Sequence, residues 1–149
     1  MKSILDKIKK VHPLVRAKKS MMDEQIVILN GIKEEKIKIV TEMKENQRQY
    51  MTGVDKINDI RNSNLRENIE VLERGLDMVK SKWYKLHLDA QNIENKERAQ
   101  IAQVLGAQRE LKKMEKLREQ YEVKYHHEIA AAEQKEQDER SIFKFTRNN

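Results

Sequence analysis

The chain has 149 residues, of which 38% are charged and only 5% are aromatic, and it contains one proline, four glycines and no cysteine. This composition is typical of a long-helix protein and not of a compact globule, and the lack of cysteine excludes a disulfide framework and a thiolate metal site. The net charge of +6 is unevenly placed. Residues 1–20 hold seven basic groups against Asp6 alone, which leaves the rest of the chain balanced.

The opening segment, MKSILDKIKK, lacks an apolar run of signal-peptide length. No stretch approaches the roughly 18 consecutive apolar residues that span a bilayer. We therefore expect a protein that has no cleaved signal and is not membrane-embedded, and the cytoplasm is the expected compartment.

Residues 1–61 are predicted to form the first helix of a coiled coil. Ile32 and Ile39, with Ile28 and Ile37, lie beside its seam and widen the apolar stripe. Pro13 is expected to disturb the helix before Leu14, because proline removes one backbone hydrogen bond. The predicted seam, at heptad spacing, consists of Ile8, His12, Val15, Lys19, Met22, Ile26, Leu29, Lys33, Lys36, Val40, Met43, Gln47, Tyr50, Val54 and Ile57.

Residues 62–64, Asn-Ser-Asn, are predicted to be a hairpin loop, since their side chains compete for local backbone groups. Asn64 and Glu67 have the spacing of a capping box that starts the second helix.

Residues 65–140 are predicted to form the second helix. Its apolar residues stay in phase over about nine heptads, which a disordered chain would not do. We predict an all-α fold, a long antiparallel two-helix coiled-coil hairpin with a longer second helix. Its part after about Tyr125 has no intramolecular partner, and residues 141–149 form a flexible tail. The second seam consists of Leu65, Ile69, Leu72, Leu76, Val79, Trp83, Leu86, Ala90, Ile93, Val104, Ala107, Leu111, Met114, Tyr121 and Tyr125.

Two registers of the hairpin are compatible with the seams. If residues 62–64 are the whole loop, Met43 faces Trp83. A longer loop and a slip of one heptad pair Lys36 with Glu97. The sequence leaves both open.

The motifs of common enzymes are absent: there is no glycine-rich phosphate loop, no nucleophile elbow and no zinc-binding His-Glu-x-x-His motif. The adjacent His126 and His127 point about 100° apart on a helix and cannot chelate one metal ion. We expect no catalytic residue, cofactor or metal, and a role that is mechanical or adhesive.

Three groups of side chains are candidate contact sites. The basic end, with no aromatic residue to stack on bases, favours a protein partner over nucleic acid, while an anionic membrane and a merely solvated face stay open. The stretch EQKEQDER, followed by Ile142 and two phenylalanines, is a candidate docking segment or a frayed end. Residues 69–79 with Tyr50 and Val54 would form an apolar tip if the hairpin frays there, and are otherwise simple seam residues. Trp83 is assigned to the core and Tyr84 to the surface.

Three segments of the sequence resemble one family, the small coiled-coil stalk proteins of type III export machines. This family comprises flagellar FliJ and its injectisome counterpart YscO. Residues 14–19, LVRAKK, are similar to an apolar-x-Arg-Ala-x-basic pattern of the injectisome branch. The EQKEQDER stretch followed by phenylalanine resembles the C-terminal end of that branch. Residues 69–83, IEVLERGLDMVKSKW, look like the turn-proximal part of the second helix in flagellar members. The injectisome branch fits better.

The resemblance implies a stalk that inserts into the hexameric export ATPase and reaches the cytoplasmic domain of the export gate, at the inner-membrane base of the apparatus. Relatives are also linked to secretion chaperones. The implied ATPase-binding residues are Lys2, Lys7, Lys9, Lys10, Arg16, Lys18, Lys19, Phe143 and Phe145. The implied gate-binding residues are Tyr50, Val54, Ile69, Leu72, Leu76 and Val79.

Two other readings stay open: an adaptor that escorts secretion chaperones or unfolded chains without acting on the ATPase, and a homodimeric structural coiled coil. The Asn-Ser-Asn break favours a hairpin, and we expect a monomer in isolation.

Overall fold

The computed structural model describes residues 2–63 and 69–148, except for the side chains of Lys2 and Asn148. It contains two helices, α1 (Lys2–Asn62) of 61 residues and α2 (Ile69–Asn148) of 80 residues. They pack against each other in opposite directions, with Lys36 near Glu97 and His12 near Arg118. The prediction of an all-α antiparallel hairpin with a longer second helix is confirmed.

The end of α1 lies close to the predicted loop. Asn62 is the last residue of the helix, and Ser63 follows in a turn. The Ser63 amide donates to the Asp59 carbonyl at 3.0 Å and its hydroxyl donates to the Ile60 carbonyl at 3.1 Å, so two carbonyls of the last turn are satisfied. The predicted capping box of Asn64 and Glu67, and the seam residue Leu65, lie outside the described residues.

The expected disturbance at Pro13 was wrong, since α1 runs through Pro13 without a break. Val11 and Val15, on either side of the proline, are buried against Leu111 of α2. This packing holds the helix, while Pro13 itself is exposed, so water can hydrate the carbonyl that its ring leaves unpaired.

The assignment of a helix end at residue 140 was also wrong, because α2 continues to Asn148. No proline or glycine interrupts residues 141–148. Side-chain hydrogen bonds span single turns of the last part of α2. The side-chain amide of Gln134 donates to Asp138 Oδ1 at 3.2 Å, and the Thr146 hydroxyl donates to the Ile142 carbonyl at 2.8 Å. The heptad pattern predicted where the seam ends, not where the helix ends.

Backbone proximity divides the chain into two units, each with a stretch of both helices. The first unit comprises Met1–Gln25 and Val104–Asn149, and the second comprises Ile26–Gln103. The first has a small core of Val11, Val15 and Leu111, with partly buried apolar neighbours packed on it. These neighbours are Met22, Met114, Leu117 and Tyr121.

The second unit buries Ile57, Leu86 and Ile93 and, unusually, the polar side chain of Asn46, which is 2% exposed. Asn46 donates from Nδ2 to the Val79 carbonyl at 3.1 Å, and its buried Oδ1 has no hydrogen-bond partner among the described residues. A buried acceptor without a donor costs about 1–3 kcal/mol. Asn46 therefore lowers stability, as polar residues in coiled-coil cores do while they specify register.

The seam of α2 was predicted correctly at every described position except Trp83, which is exposed. The seam of α1 was predicted correctly at the positions that recur every seven residues from Ile8 to Ile57. Between two successive anchors of this repeat, the prediction assigned to the seam the residue four positions after the first anchor. In the structure, the residue three positions after the anchor is mostly the buried one. The predicted positions that are exposed are His12, Lys19, Lys33, Val40 and Gln47.

The residues three positions on explain this correction. They include Val11, Ile32, Ile39 and Ile60, which are at least half-buried. Burying them removes more apolar surface from water than burying the histidine, lysines and glutamine of the predicted seam. Ile28 and Ile37, predicted to flank the seam, are exposed.

The Lys36–Glu97 pair of the slipped register is present, with Lys36 Nζ 3.3 Å from Glu97 Oε1. The side chains are 35% and 19% exposed, so the pair is partly shielded from water. It joins the two helices across the seam of the second unit.

We expect Asn46→Leu to raise the free energy of unfolding by about 1–3 kcal/mol, because it removes an unpaired buried acceptor and adds apolar burial. Urea denaturation followed by circular dichroism measures this. The matched control is Gln47→Leu, at an exposed neighbouring position, which should change stability by less than about 0.5 kcal/mol. Equal effects of the two substitutions would contradict the assignment of Asn46 to the core.

Reversing one charge of the Lys36–Glu97 pair should destabilise the chain. Lys36→Glu and Glu97→Lys should each lower the free energy of unfolding by about 1 kcal/mol, and the double exchange should recover most of the loss. Lys113→Glu beside Glu110, an exposed pair within α2, is the control and should have a smaller effect. Purely additive losses in the double exchange would show that the pair does not join the helices.

Candidate functional site

The basic N-terminal surface belongs to the first unit. Lys7, Lys9, Lys10, Arg16 and Lys19 are exposed, and Lys18 is half-buried. The predicted Lys2 side chain lies outside the described residues. The first five turns of α1 thus expose several positively charged side chains to solvent.

Two of the contacts that join this part of α1 to α2 involve basic groups. Lys7 Nζ lies 5.7 Å from the centre of the Tyr121 ring, a cation–π distance. His12 Nδ1 lies 3.5 Å from Arg118 Nη1. Lys7 is therefore positioned by an aromatic ring, which holds one charge of this surface in place.

The exposed C-terminal segment, defined as residues 133–147, has no buried or half-buried residue. Ile142, Phe143 and Phe145 are 66%, 67% and 71% exposed. Some burial persists to Ala132, so the unpartnered part of α2 starts about two turns later than predicted. Residues 133–139 carry four acidic groups and one basic group, whereas residues 140–147 carry three basic groups and no acidic one.

The six predicted gate-binding residues lie in the second unit and are all half-buried. A Cβ atom at Gly53 would lie 2.9 Å from Leu76 Cδ1, so Leu76 packs against the backbone of α1 where no side chain intervenes. The set therefore lies along the seam between the helices and not on an exposed apolar tip. The exposed apolar side chains nearby are those of Met51, Val71 and Met78. The six residues are Tyr50, Val54, Ile69, Leu72, Leu76 and Val79.

The assignment of Trp83 to the core was wrong: its side chain is 42% exposed. It stacks on His87, with ring centres 5.2 Å apart and planes within 9°, and meets Tyr84 edge-on at 5.3 Å. Tyr84 is exposed, as predicted. Trp83 lies at the rim of the seam, where α1 presents the polar side chains of Asn46 and Gln47 together with Tyr50.

Beside Trp83 lies a groove of about 430 Å³, which the sequence did not predict. We call it the aromatic groove. From α1 it is lined by Asn46, Gln47 and Tyr50. From α2 it is lined by Val79, Lys80, Trp83 and Tyr84. The spacing of Lys80, Trp83, Tyr84 and His87, which places them on one face of a helix, was the available signal.

Two lysines of α2, Lys80 and Lys82, lie close to each other in sequence but differ in their position relative to the groove. None of the seven lining residues carries a carboxylate, and Lys80 Nζ lies 6.0 Å from the centre of the Tyr50 ring. Lys82 does not line the groove. Hydrogen bonds from Arg48 to Glu45 hold the pKa of that carboxyl below its ordinary value, and the charge of Lys82 lowers it further. Lys82 therefore interacts with the Glu45 carboxylate, while Lys80 lies over the Tyr50 ring.

Within residues 2–63 and 69–148, no group of three or more histidine, aspartate or glutamate side chains is placed to hold a metal ion. In the same ranges, neither helix has a stretch long and apolar enough to cross a bilayer. Comparison with protein families, with curated proteins and with solved structures gives no match for this chain. The candidate sites are accordingly defined by three surfaces: the basic N-terminal surface, the exposed C-terminal segment and the aromatic groove.

Proposed function

We propose that the chain is a stalk component of a bacterial type III secretion apparatus, which inserts into the hexameric export ATPase and links it to the cytoplasmic domain of the export gate. The observation that carries the proposal is the first unit, where the basic N-terminal surface and the exposed C-terminal segment belong to one compact body of a two-helix hairpin. In this proposal the protein acts in the cytoplasm at the inner-membrane base of the apparatus.

The proposed mechanism is noncovalent. A two-helix hairpin offers long charged faces but little interior, so its contacts with a ring of ATPase subunits are numerous and individually weak. Such contacts change the ATPase only if they are stronger in one conformation of the ring than in another. The cations of the basic N-terminal surface supply attraction, and Phe143 and Phe145 supply apolar anchors. The gate-binding set, half-buried in the seam, would need local separation of the helices to make a contact.

An escort adaptor is the second candidate, favoured by one specific observation. Val27, Ile28 and Ile37 expose 69%, 49% and 65% of their side chains on α1 of the second unit. Apolar groups exposed in this number favour contact with another protein, such as a secretion chaperone. This adaptor would bind its partner without changing ATP hydrolysis.

The direct test is ATP hydrolysis by the purified cognate export ATPase with and without the full chain, together with the mass of the chain by light scattering. We expect stimulation of hydrolysis by a monomeric chain. Binding of a secretion chaperone without stimulation would favour the adaptor. A dimeric mass with no effect on hydrolysis would favour a structural coiled coil.

Charge reversal tests the basic N-terminal surface. The variant Lys9→Glu/Lys10→Glu/Arg16→Glu/Lys19→Glu changes only exposed side chains. The concentration for half-maximal stimulation should rise about tenfold or more, since interface charges govern association. The matched control, with the same four charge reversals, is Lys33→Glu/Lys38→Glu/Lys44→Glu/Lys56→Glu, at exposed positions of the second unit. If both variants weakened the stimulation equally, the effect would be due to net charge and not to this surface.

Removing the two phenylalanines tests the exposed C-terminal segment. Phe143→Ala/Phe145→Ala should change the free energy of unfolding by less than about 0.5 kcal/mol, because both rings are exposed. It should still reduce stimulation of the ATPase. Unchanged stimulation would exclude these rings from the contact.

A further inference from the structure

We propose that the aromatic groove of the second unit binds an acidic peptide segment that carries an aromatic side chain. The groove lies at the junction of the two helices, and its volume of about 430 Å³ falls in the range of sites that hold a ligand group. This inference does not rest on the proposed function, since it concerns a partner chemistry and requires no component of a secretion apparatus.

The walls of the groove select an apolar, planar group. Tyr50 from α1 and Trp83 and Tyr84 from α2 present three rings around one recess, with the half-buried Val79 among the lining residues. Edge-to-face and offset arrangements of rings are attractive beyond their burial of area. An aromatic side chain inserted here would meet ring edges and faces on more than one side.

The charge around the groove selects an anion. Residues 78–88 contain no acidic residue, and of their three lysines Lys82 interacts with Glu45 of α1 and Lys85 lies outside the groove. Lys80 lines the groove itself, and no lining side chain is a carboxylate that would compete for its ammonium group. A carboxylate next to the inserted ring would therefore find a cation at the rim, and the complementary partner is an acidic segment.

The geometry favours a peptide over a nucleic acid. One face of the Trp83 ring is already covered by His87 at 5.2 Å, which leaves less of it free to stack on a base. The half-buried residues at the bottom of the groove favour a peptide over a membrane surface as well. Tyr50 and Val79 are half-buried between the helices, where a narrow side chain can enter and a lipid layer cannot follow.

Trp83 is the one tryptophan of the chain, so its fluorescence reports on the groove directly. The probe is a capped peptide, Glu-Glu-Phe-Glu-Glu, titrated into the full-length chain. We expect a saturable change in Trp83 emission. The peptides Lys-Lys-Phe-Lys-Lys and Glu-Glu-Ala-Glu-Glu should give a change at least about fivefold weaker in affinity, because each lacks one of the two complementary features.

Substitution of one lysine provides the matched pair of variants. Lys80→Gln should weaken binding of the acidic peptide about fivefold or more, whereas Lys82→Gln, on the exposed neighbour that lies outside the groove, should change it less than about twofold. Circular dichroism verifies that both variants keep the helical content of the parent. A second variant, Tyr50→Leu, keeps the seam apolar and should also weaken binding.

Several outcomes would overturn the proposal. One is no change in Trp83 emission up to about 1 mM peptide, an affinity too weak for a specific site. Another is equal response to the acidic and basic peptides. Binding to vesicles of phosphatidylserine and phosphatidylcholine that is lost in Lys80→Gln, with no peptide binding, would assign the groove to a membrane surface. Self-association that is lost in the same variant would assign it to a second copy of this chain.

Discussion

The parts of α1 and α2 that pack together depend on the seam between them. A helix with polar residues on most of its surface gains little from its own propensity, and most of its stability comes from packing its apolar stripe. Few of the described residues are buried in either unit, among them Val15 and Leu111 in the first and Leu86 and Ile93 in the second, and each of these four keeps a few per cent of its surface exposed. The two helices are therefore mutually dependent, and a change in the seam changes both.

The seam also shows why the fold was predictable and its details were not. A repeat of seven residues specifies a helix and the face that it buries, and the break at residues 62–64 favours a hairpin, so both helices and their opposite directions followed from the sequence. The repeat does not specify whether the intervening contact lies three or four residues on. In α1 the anchors from Ile8 to Ile57 fit both phases, and both phases contain apolar residues, such as Ile39 in one and Val40 in the other. Packing against α2 follows the phase of Val11 and Ile39. In α2 the correct residues were themselves apolar.

For the candidate sites too, some features were predictable from the sequence and others depend on how the helices pack. The exposure of the basic side chains and of Phe143 and Phe145 was predictable, because charge and position along the chain determine it. The aromatic groove was not, since it depends on where a large ring meets its partner helix. Trp83 occupies a heptad position and was therefore assigned to the core. The ring lies instead at the rim of the seam, beside the polar side chains of Asn46 and Gln47.

Polar groups in the seam connect stability to function. Asn46 and the Lys36–Glu97 pair occupy positions where apolar residues would stabilise the helices more strongly. They make the correct register distinguishable from a slipped one, which a uniform apolar stripe would not do. A protein that contacts its partners through separate surfaces needs one register, because a slip along the seam would move the residues of α1 relative to those of α2. The aromatic groove illustrates this requirement, since Tyr50 comes from α1 and Lys80 and Trp83 come from α2. The polar seam residues thus cost stability relative to apolar ones and in return fix the positions of the surface groups.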